Sequence, residues 1–188
     1  METIIIGSGP FDLQYGYVDS SRPDDNHCND GSLLVQSIIT PTPITMFSWV
    51  RFSLDQLKGK KHIVSAIMSF GLDTMTPSSA TLKLTEPVGT VISPPTLSYH
   101  NAPADIDVGL PTTVITSSDT IVNLDMTKLI TDYVEGRREN KGLYIKVLQT
   151  VPPHNIDIAM ITAIVEPEGP ATLTVISDPT VKPPTRKR

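Results

Sequence analysis

The stretch HIVSAIMSFGL, His62 to Leu72, reads with a period of two: Val64, Ala66, Met68, Phe70 and Leu72 fall on one side, Ser65 and Ser69 on the other. Side chains of a strand alternate between faces, so this pattern is a half-buried strand with an apolar inner face. The same reading extends outward along the chain. MFSWVRFSL, Met46 to Leu54, puts Val50, Phe52 and Leu54 on one face and Trp49, Arg51 and Ser53 on the other. GSLLVQSII, Gly31 to Ile39, is an apolar run closed by TPTP. TLKLT, TIVNLD, GLYIKVL, IDIAMITAIV and ATLTVIS continue the series, with the proline-rich turns TEPVG, SPPT, VPPHN and EPEGP between them. Short runs rich in Val, Ile and Thr, bounded by turn residues, are strands.

One segment departs from the period of two. Met126, Leu129, Ile130, Tyr133 and Val134 recur at i, i+3, i+4, i+7 and i+8, one stripe of a helix. Asp125 stands where an N-cap belongs and Gly136 where a C-terminal glycine belongs. That spacing implies a helix of about three turns. Many strands and one helix predict an all-β fold, an antiparallel jelly-roll β-sandwich with one short α-helix. The expected organisation is an N-terminal strand or arm over 1–12, a sandwich body over 13–178 and a basic, proline-broken tail over 179–188.

Ile4 to Asp12, IIIGSGPFD, imitates the opening of a dinucleotide-binding domain. That fingerprint needs a third small residue, and here the third position is Asp12. The following LQYGYVDSSRPDD shows no helical period to supply phosphate-binding amides, and Gly16 and Arg22-Pro23 interrupt it. The residues favour a strand followed by a turn. A net charge of −5 argues against a nucleic-acid partner. One cysteine, Cys28, leaves no internal disulfide framework. No apolar run reaches the length of a membrane span, so no membrane partner is expected. METIII lacks the character of a secretory signal, which places synthesis and folding in a cytoplasm.

Four stretches resemble the DNRLRE-domain family, jelly-roll sandwiches related to carbohydrate-binding modules. They are YVDSSRPDDNHCNDGSLLV, SWVRFSLDQLKGKKHIVSAIMSF, LSYHNAPA and VNLDMTKLITDYVEGRRENKGLYIKV. They occur in the family's order and span roughly residues 15–177. LSYHNAPA is similar to a Thr-Trp-Asn-Asn-x-Pro-Ala turn, with Tyr99 at the tryptophan position. The Trp-x-Glu usual before that turn is SPPT here. The resemblance implies the sandwich, places Arg51 in its framework, and raises two ligands: polysaccharide and a structural calcium.

The residues offer few centres for chemistry. His27, His62, His100 and His154 are dispersed at no metal-ligand spacing. RPDDNHCNDG gathers Asp24, Asp25, Asn26, Asn29 and Asp30, an oxygen-rich loop of a kind that suits Ca²⁺, and equally a solvated turn. For calcium the expected ligands are Asp24, Asp25, Asn26 and Asp30. Trp49, Arg51 and Tyr99 are the candidates for a glycan-facing surface; the competing reading of Arg51 is an arginine stacked on a sheet face or paired with a carboxylate. Asp55, Asp73, Asp125 and Glu166 provide acids, but the sequence brings no two together as glycoside hydrolysis requires. No residue is expected to carry covalent chemistry. Ile4, Ile5 and Ile6, with Arg137, Arg138, Arg186, Lys187 and Arg188, are the expected partner contacts, through strand addition and through basic patches. Arg137 and Arg138 also suit the C-terminal end of the helix dipole.

Two functions fit. One is a non-enzymatic structural or interaction protein of a virus or phage particle (capsid decoration, fibre or tail adaptor) that contacts other particle proteins or copies of itself. A particle component leaves its host by lysis and needs no export signal. The other is a carbohydrate-binding module for a polysaccharide. Aromatic residues are only 5% of the chain, with a single tryptophan, a thin supply for sugar stacking. The sequence therefore favours the particle and a virion location.

Overall fold

A computed structural model of the protein describes residues 1–7, 12–30, 32–39, 42–60, 62–89, 92–148, 155–161 and 171–179. Arg186, Lys187 and Arg188 lie outside the described residues, as do Gly9, His154 and Glu166. The chain begins with β1 (Glu2–Ile6), β2 (Leu13–Asp19), β3 (His27–Cys28), β4 (Ser32–Ile38) and β5 (Ile44–Phe52). After a 3-10 turn at Asp55–Leu57 come β6 (Ile63–Gly71), β7 (Thr74–Thr76) and β8 (Ser79–Pro87). A second 3-10 turn, Pro94–Thr96, precedes β9 (Asp105–Asp107), β10 (Thr113–Thr116) and β11 (Ile121–Asp125). The helix α1 (Thr127–Val134) is followed by β12 (Leu143–Leu148), β13 (Ile156–Ile161) and β14 (Thr172–Ser177). The fold is an all-β antiparallel sandwich with one short helix.

The smaller sheet has the order β1-β14-β6-β11 and the larger the order β10-β8-β12-β5-β4-β13-β7. β5 is the hub of the larger sheet. β2 pairs along Met46–Phe52, while β12 pairs at Ser48–Val50 and β4 at Ile44–Met46. Because both overlap the span taken by β2, β12 and β4 share the other edge. The inner faces interleave as one core. Ala66, Met68, Phe70, Val122, Leu124, Leu173 and Val175 come from the smaller sheet; Leu33, Val35, Val50, Phe52, Leu82, Leu84, Ile145 and Ile158 come from the larger. Burying a side chain of this size is worth about 1.5–3 kcal/mol.

The alternation in β6 holds at Ala66, Met68 and Phe70, which are buried. Val64 is 41% exposed and Ile63 is buried in its place. The register explains this: Ser65 pairs with Ile176 and Ile63 with Ser177, so Val64 is an extra residue in a bulge. A bulge reverses the side-chain parity beyond it.

The helix stripe is borne out, with Met126, Leu129 and Ile130 buried and Tyr133 and Val134 packed on the core. The helix has eight residues, about two turns rather than three. Met126, not Asp125, is the N-cap. Asp125 still serves the helix from one residue earlier, where its Oδ1 accepts the Thr127 N–H at 2.9 Å and the Thr127 hydroxyl at 2.6 Å. Gly136 ends it as expected, at φ 68°, in the left-handed region glycine favours.

The N-terminal segment is part of the body rather than an arm. β1 pairs with β14 in the same chain over its full length. Ile6 is fully buried and Ile4 packs on the core, so of the three expected contact residues only Ile5, 51% exposed, faces outward. Gly7 has a structural reason unrelated to nucleotides: it sits at φ 114°, and a Cβ there would lie 2.5 Å from the Ala171 carbonyl oxygen. The LQYGYVD segment, expected as a turn, is the strand β2. Its Gly16 is needed because a Cβ would come within 2.9 Å of the Cys28 Cα and the His27 carbonyl oxygen.

Candidate functional site

Trp49 does not face a ligand. It is fully buried in a second core on the outer side of β5, with Val18, Phe47, Ile92, Leu97 and Tyr144. β5 carries large apolar residues at both parities and is covered on both faces. The cover over Trp49 is formed by the segment around the second 3-10 turn and SYHNAP, and side chains clip it down. The Asn26 amide donates to the carbonyls of Pro94 and Leu97, both at 2.7 Å. The His100 N–H donates to the Pro23 carbonyl at 3.0 Å. The Tyr144 hydroxyl donates to the Pro103 carbonyl at 3.2 Å. Burial above all holds the Tyr144 phenol well above its ordinary range. Tyr99 stands at the rim, 36% exposed, with its ring 6.4 Å from that of Phe47. The glycan surface expected at Trp49, Arg51 and Tyr99 is thus not assembled.

Gly142 makes the burial of Trp49 feasible. At φ 87°, a Cβ there would meet the indole Nε1 at 2.4 Å and the Val50 carbonyl oxygen at 2.9 Å. Gly142→Ala is expected to cost about 2–3 kcal/mol, through overpacking together with an unfavourable φ. A shift in the urea midpoint checks this.

The acidic loop is not a calcium cage. Asp24 pairs with His100 Nδ1 at 2.9 Å, Asp30 with His27 Nδ1 at 2.9 Å, and Asp25 approaches Arg22 at 4.0 Å. Asn26 is the clip described above, and its Oδ1 accepts the Cys28 N–H at 3.2 Å. Among the described residues no three His, Cys, Asp or Glu side chains gather as metal ligands. The four expected oxygens diverge because each fastens a different part of the loop. Cys28 is half-buried, and burial pushes its thiol up, away from the reactive thiolate.

A cleft of about 480 Å³ opens where β5 ends, between the 3-10 turn at Asp55–Leu57 and the C-terminal end of α1. Gln14, Arg51, Ser53 and Asp55 give it polar walls, and Phe52 and Leu57 an apolar floor. Gln14 lies directly opposite Arg51 in the β2–β5 register. Asn140 closes one side; its amide donates to the Phe52 carbonyl at 2.8 Å, fixing the strand end. The Arg51 guanidinium has no hydrogen-bond or ion-pair partner among the described residues. The carboxylate pairing considered for it from the sequence is not seen among the described residues.

Behind the cleft lies a buried charge network that the sequence did not show. Glu86, 6% exposed, accepts the Tyr133 hydroxyl at 2.5 Å and pairs with Arg138 at 2.9 Å. Arg138 also reaches Asp132 at 3.6 Å, and Arg137 pairs with Asp132 at 2.6 Å and with Glu135. Arg137 and Arg138, expected to contact partners, are thus engaged within the chain. Burial pushes the Asp132 carboxyl up, but the hydrogen bonds from Arg137 and Lys128 outweigh it and hold the group below its ordinary value. A lowered carboxyl pKa stabilises the fold above the unfolded value, and that contribution is lost as pH falls through the folded one.

The outer face of the smaller sheet is the other distinctive surface. Its rows are Thr3, Ile176 and Ser65; then Ile5, Thr174, Ile67 and Asp125; then Thr172, Ser69 and Asn123. Only Asp125 in these rows is charged. β1 and β11 form the two edges of this sheet.

Among the described residues the fold is an antiparallel β-sandwich with a main core, a second core around Trp49, a cleft at the end of β5 and a nearly uncharged outer face on the smaller sheet. No family model matches the chain, and no curated protein matches it.

Proposed function

We propose that the chain is a non-enzymatic structural or interaction protein, a jelly-roll component of a larger particle such as a virus or phage. It docks on other particle proteins or on copies of itself through the outer face of the smaller sheet. The observation that carries this reading is the near absence of charge on that face. Soluble surfaces usually mix in charged residues at roughly 25–35%. Depletion of charge marks the centres of protein interfaces. A chain with a net charge of −5 also repels its own copies, and a neutral face is where two of them can meet. The order of segments that resembles the DNRLRE-domain family agrees with a jelly-roll body.

The test places charge on the face without touching a core. Thr174→Lys and Ser69→Lys both point outward from β14 and β6. In particles purified from the source of the sequence, the wild-type chain is expected at a fixed ratio to the major structural protein. The double variant is expected to stay folded by circular dichroism and to be lost from the particle. Retention of the double variant at the wild-type ratio would overturn the reading, as would a wild-type chain found free of any particle.

A further inference from the structure

β1 closes one edge of the smaller sheet, and among the described strands it pairs only with β14. Its other side presents backbone N–H and C=O groups to any strand that can lie beside it. Edge strands are usually protected from such pairing by a charge, a proline or a bulge. β1 has no proline, no lysine and no register shift against β14. Its one charged residue, Glu2, is neutralised within the chain by Lys60 at 2.5 Å. The opposite edge, β11, ends instead in the exposed acid Asp125. The inner row is also unfinished at β1. Ile4 lies beside the fully buried Val175, yet is only half-buried itself, because the sheet stops there.

We infer that β1 pairs with β1 of a second copy of this chain, antiparallel about a two-fold axis at Ile4, so that two four-stranded sheets become one continuous sheet. The strand is its own complement. With the axis at Ile4, Thr3 stands opposite the partner's Ile5 and Ile4 opposite the partner's Ile4. These are all β-branched residues, which suit a sheet and stabilise it through cross-strand pairs. A two-fold normal to the sheet also keeps the faces in step. Outward Thr3 and Ile5 meet each other, inward Ile4 meets its equivalent, and the exposed part of the Ile4 side chain is covered. Charge selects the same partner. Each copy carries −5 and repels the other over most of its surface, whereas this edge brings no unpaired charge against its like. A strongly basic or acidic partner finds no opposite charge along β1. The contact is closed, as in the two-fold dimers that dominate homo-oligomers. It uses the edge rather than the outer face, so it stands or falls separately from the particle reading.

Sedimentation velocity of the full chain across the micromolar range, with amide hydrogen exchange read at low and high concentration, tests it. The wild type is expected to pass from monomer to dimer. The amides of β1 should exchange more slowly as the dimer forms, and those of β11 at an unchanged rate. Ile5 is 51% exposed, so Ile5→Lys leaves the fold intact, which circular dichroism checks. Losing the cover over that isoleucine should raise the dimer's dissociation constant about 10-fold or more. Ser69→Lys charges the outer face two strands in from the edge and should leave the dimer as it is. A wild type that stays monomeric throughout the range would overturn the inference. So would Ile5→Lys dimerising as tightly as wild type, a dimer whose β1 amides exchange as fast as in the monomer, or a dimer abolished by Ser69→Lys. Growth beyond the dimer into chains would overturn it too, since that is the mark of β1 pairing with β11.

Discussion

Trp49→Ala is expected to destabilise the protein by about 3–5 kcal/mol, whereas Tyr99→Ala costs no more than about 1 kcal/mol. The sequence placed both on one ligand-facing surface, and the structure gives them opposite roles. Trp49 is fully buried against Phe47 and Tyr144, and its removal leaves a cavity under the segment that Asn26 clips at Pro94 and Leu97. Tyr99 touches that core from the rim. Urea unfolding of the two variants measures the difference. Limited proteolysis of Trp49→Ala adds a positional readout, with the first cuts expected between residues 92 and 104, where the cover has lost its base. Equal midpoints for the two variants would show that Trp49 anchors no second core.

Period-two alternation made the strands legible, and it failed where something other than alternation sets the face. Ala66, Met68 and Phe70 followed the pattern, while Val64 fell out of it because a bulge depends on the partner strand, which a local pattern does not contain. MFSWV held the signal for burial on both faces. Phe47 and Trp49 sit at one parity and Val50 at the other, too many large apolar groups for a strand with a wet side. The glycines were misleading for the same reason as Val64. Gly7 and Gly16 suggested a phosphate turn and a break, yet both are required by close approach of segments distant in sequence. The helix was readable because its stripe, its Asp125 and its Gly136 are all local. Of the cleft, Arg51 and Asp55 were singled out in advance, each for another role, and Tyr133 and Val134 only as part of the helix stripe. Gln14, Ser53 and Leu57 join it through strand register and a tertiary turn.

Arg138→Ala is expected to cost about 3 kcal/mol, and adding Glu86→Gln to it should recover most of that loss. The reason lies in a residue that the sequence read as part of the turn TEPVG. Glu86 is instead the penultimate residue of β8, 6% exposed, held by the Tyr133 hydroxyl and the Arg138 guanidinium. Removing one member of a buried ion pair leaves the other charge uncompensated, typically at 3–5 kcal/mol. The lower end applies because the Arg138 side chain is 33% exposed and water reaches part of the site. Glu86→Gln takes away the stranded charge while its amide oxygen still accepts from Tyr133, so the double variant has no buried ion to solvate. Urea unfolding of wild type, both single variants and the double variant gives the coupling directly. The same network ties the C-terminal end of α1 to β8, and Tyr133 is also a wall of the cleft. If the double variant were no more stable than Arg138→Ala, the guanidinium would be stabilising the fold through its stem and through Asp132, and the Glu86 charge would not be what holds the helix in place.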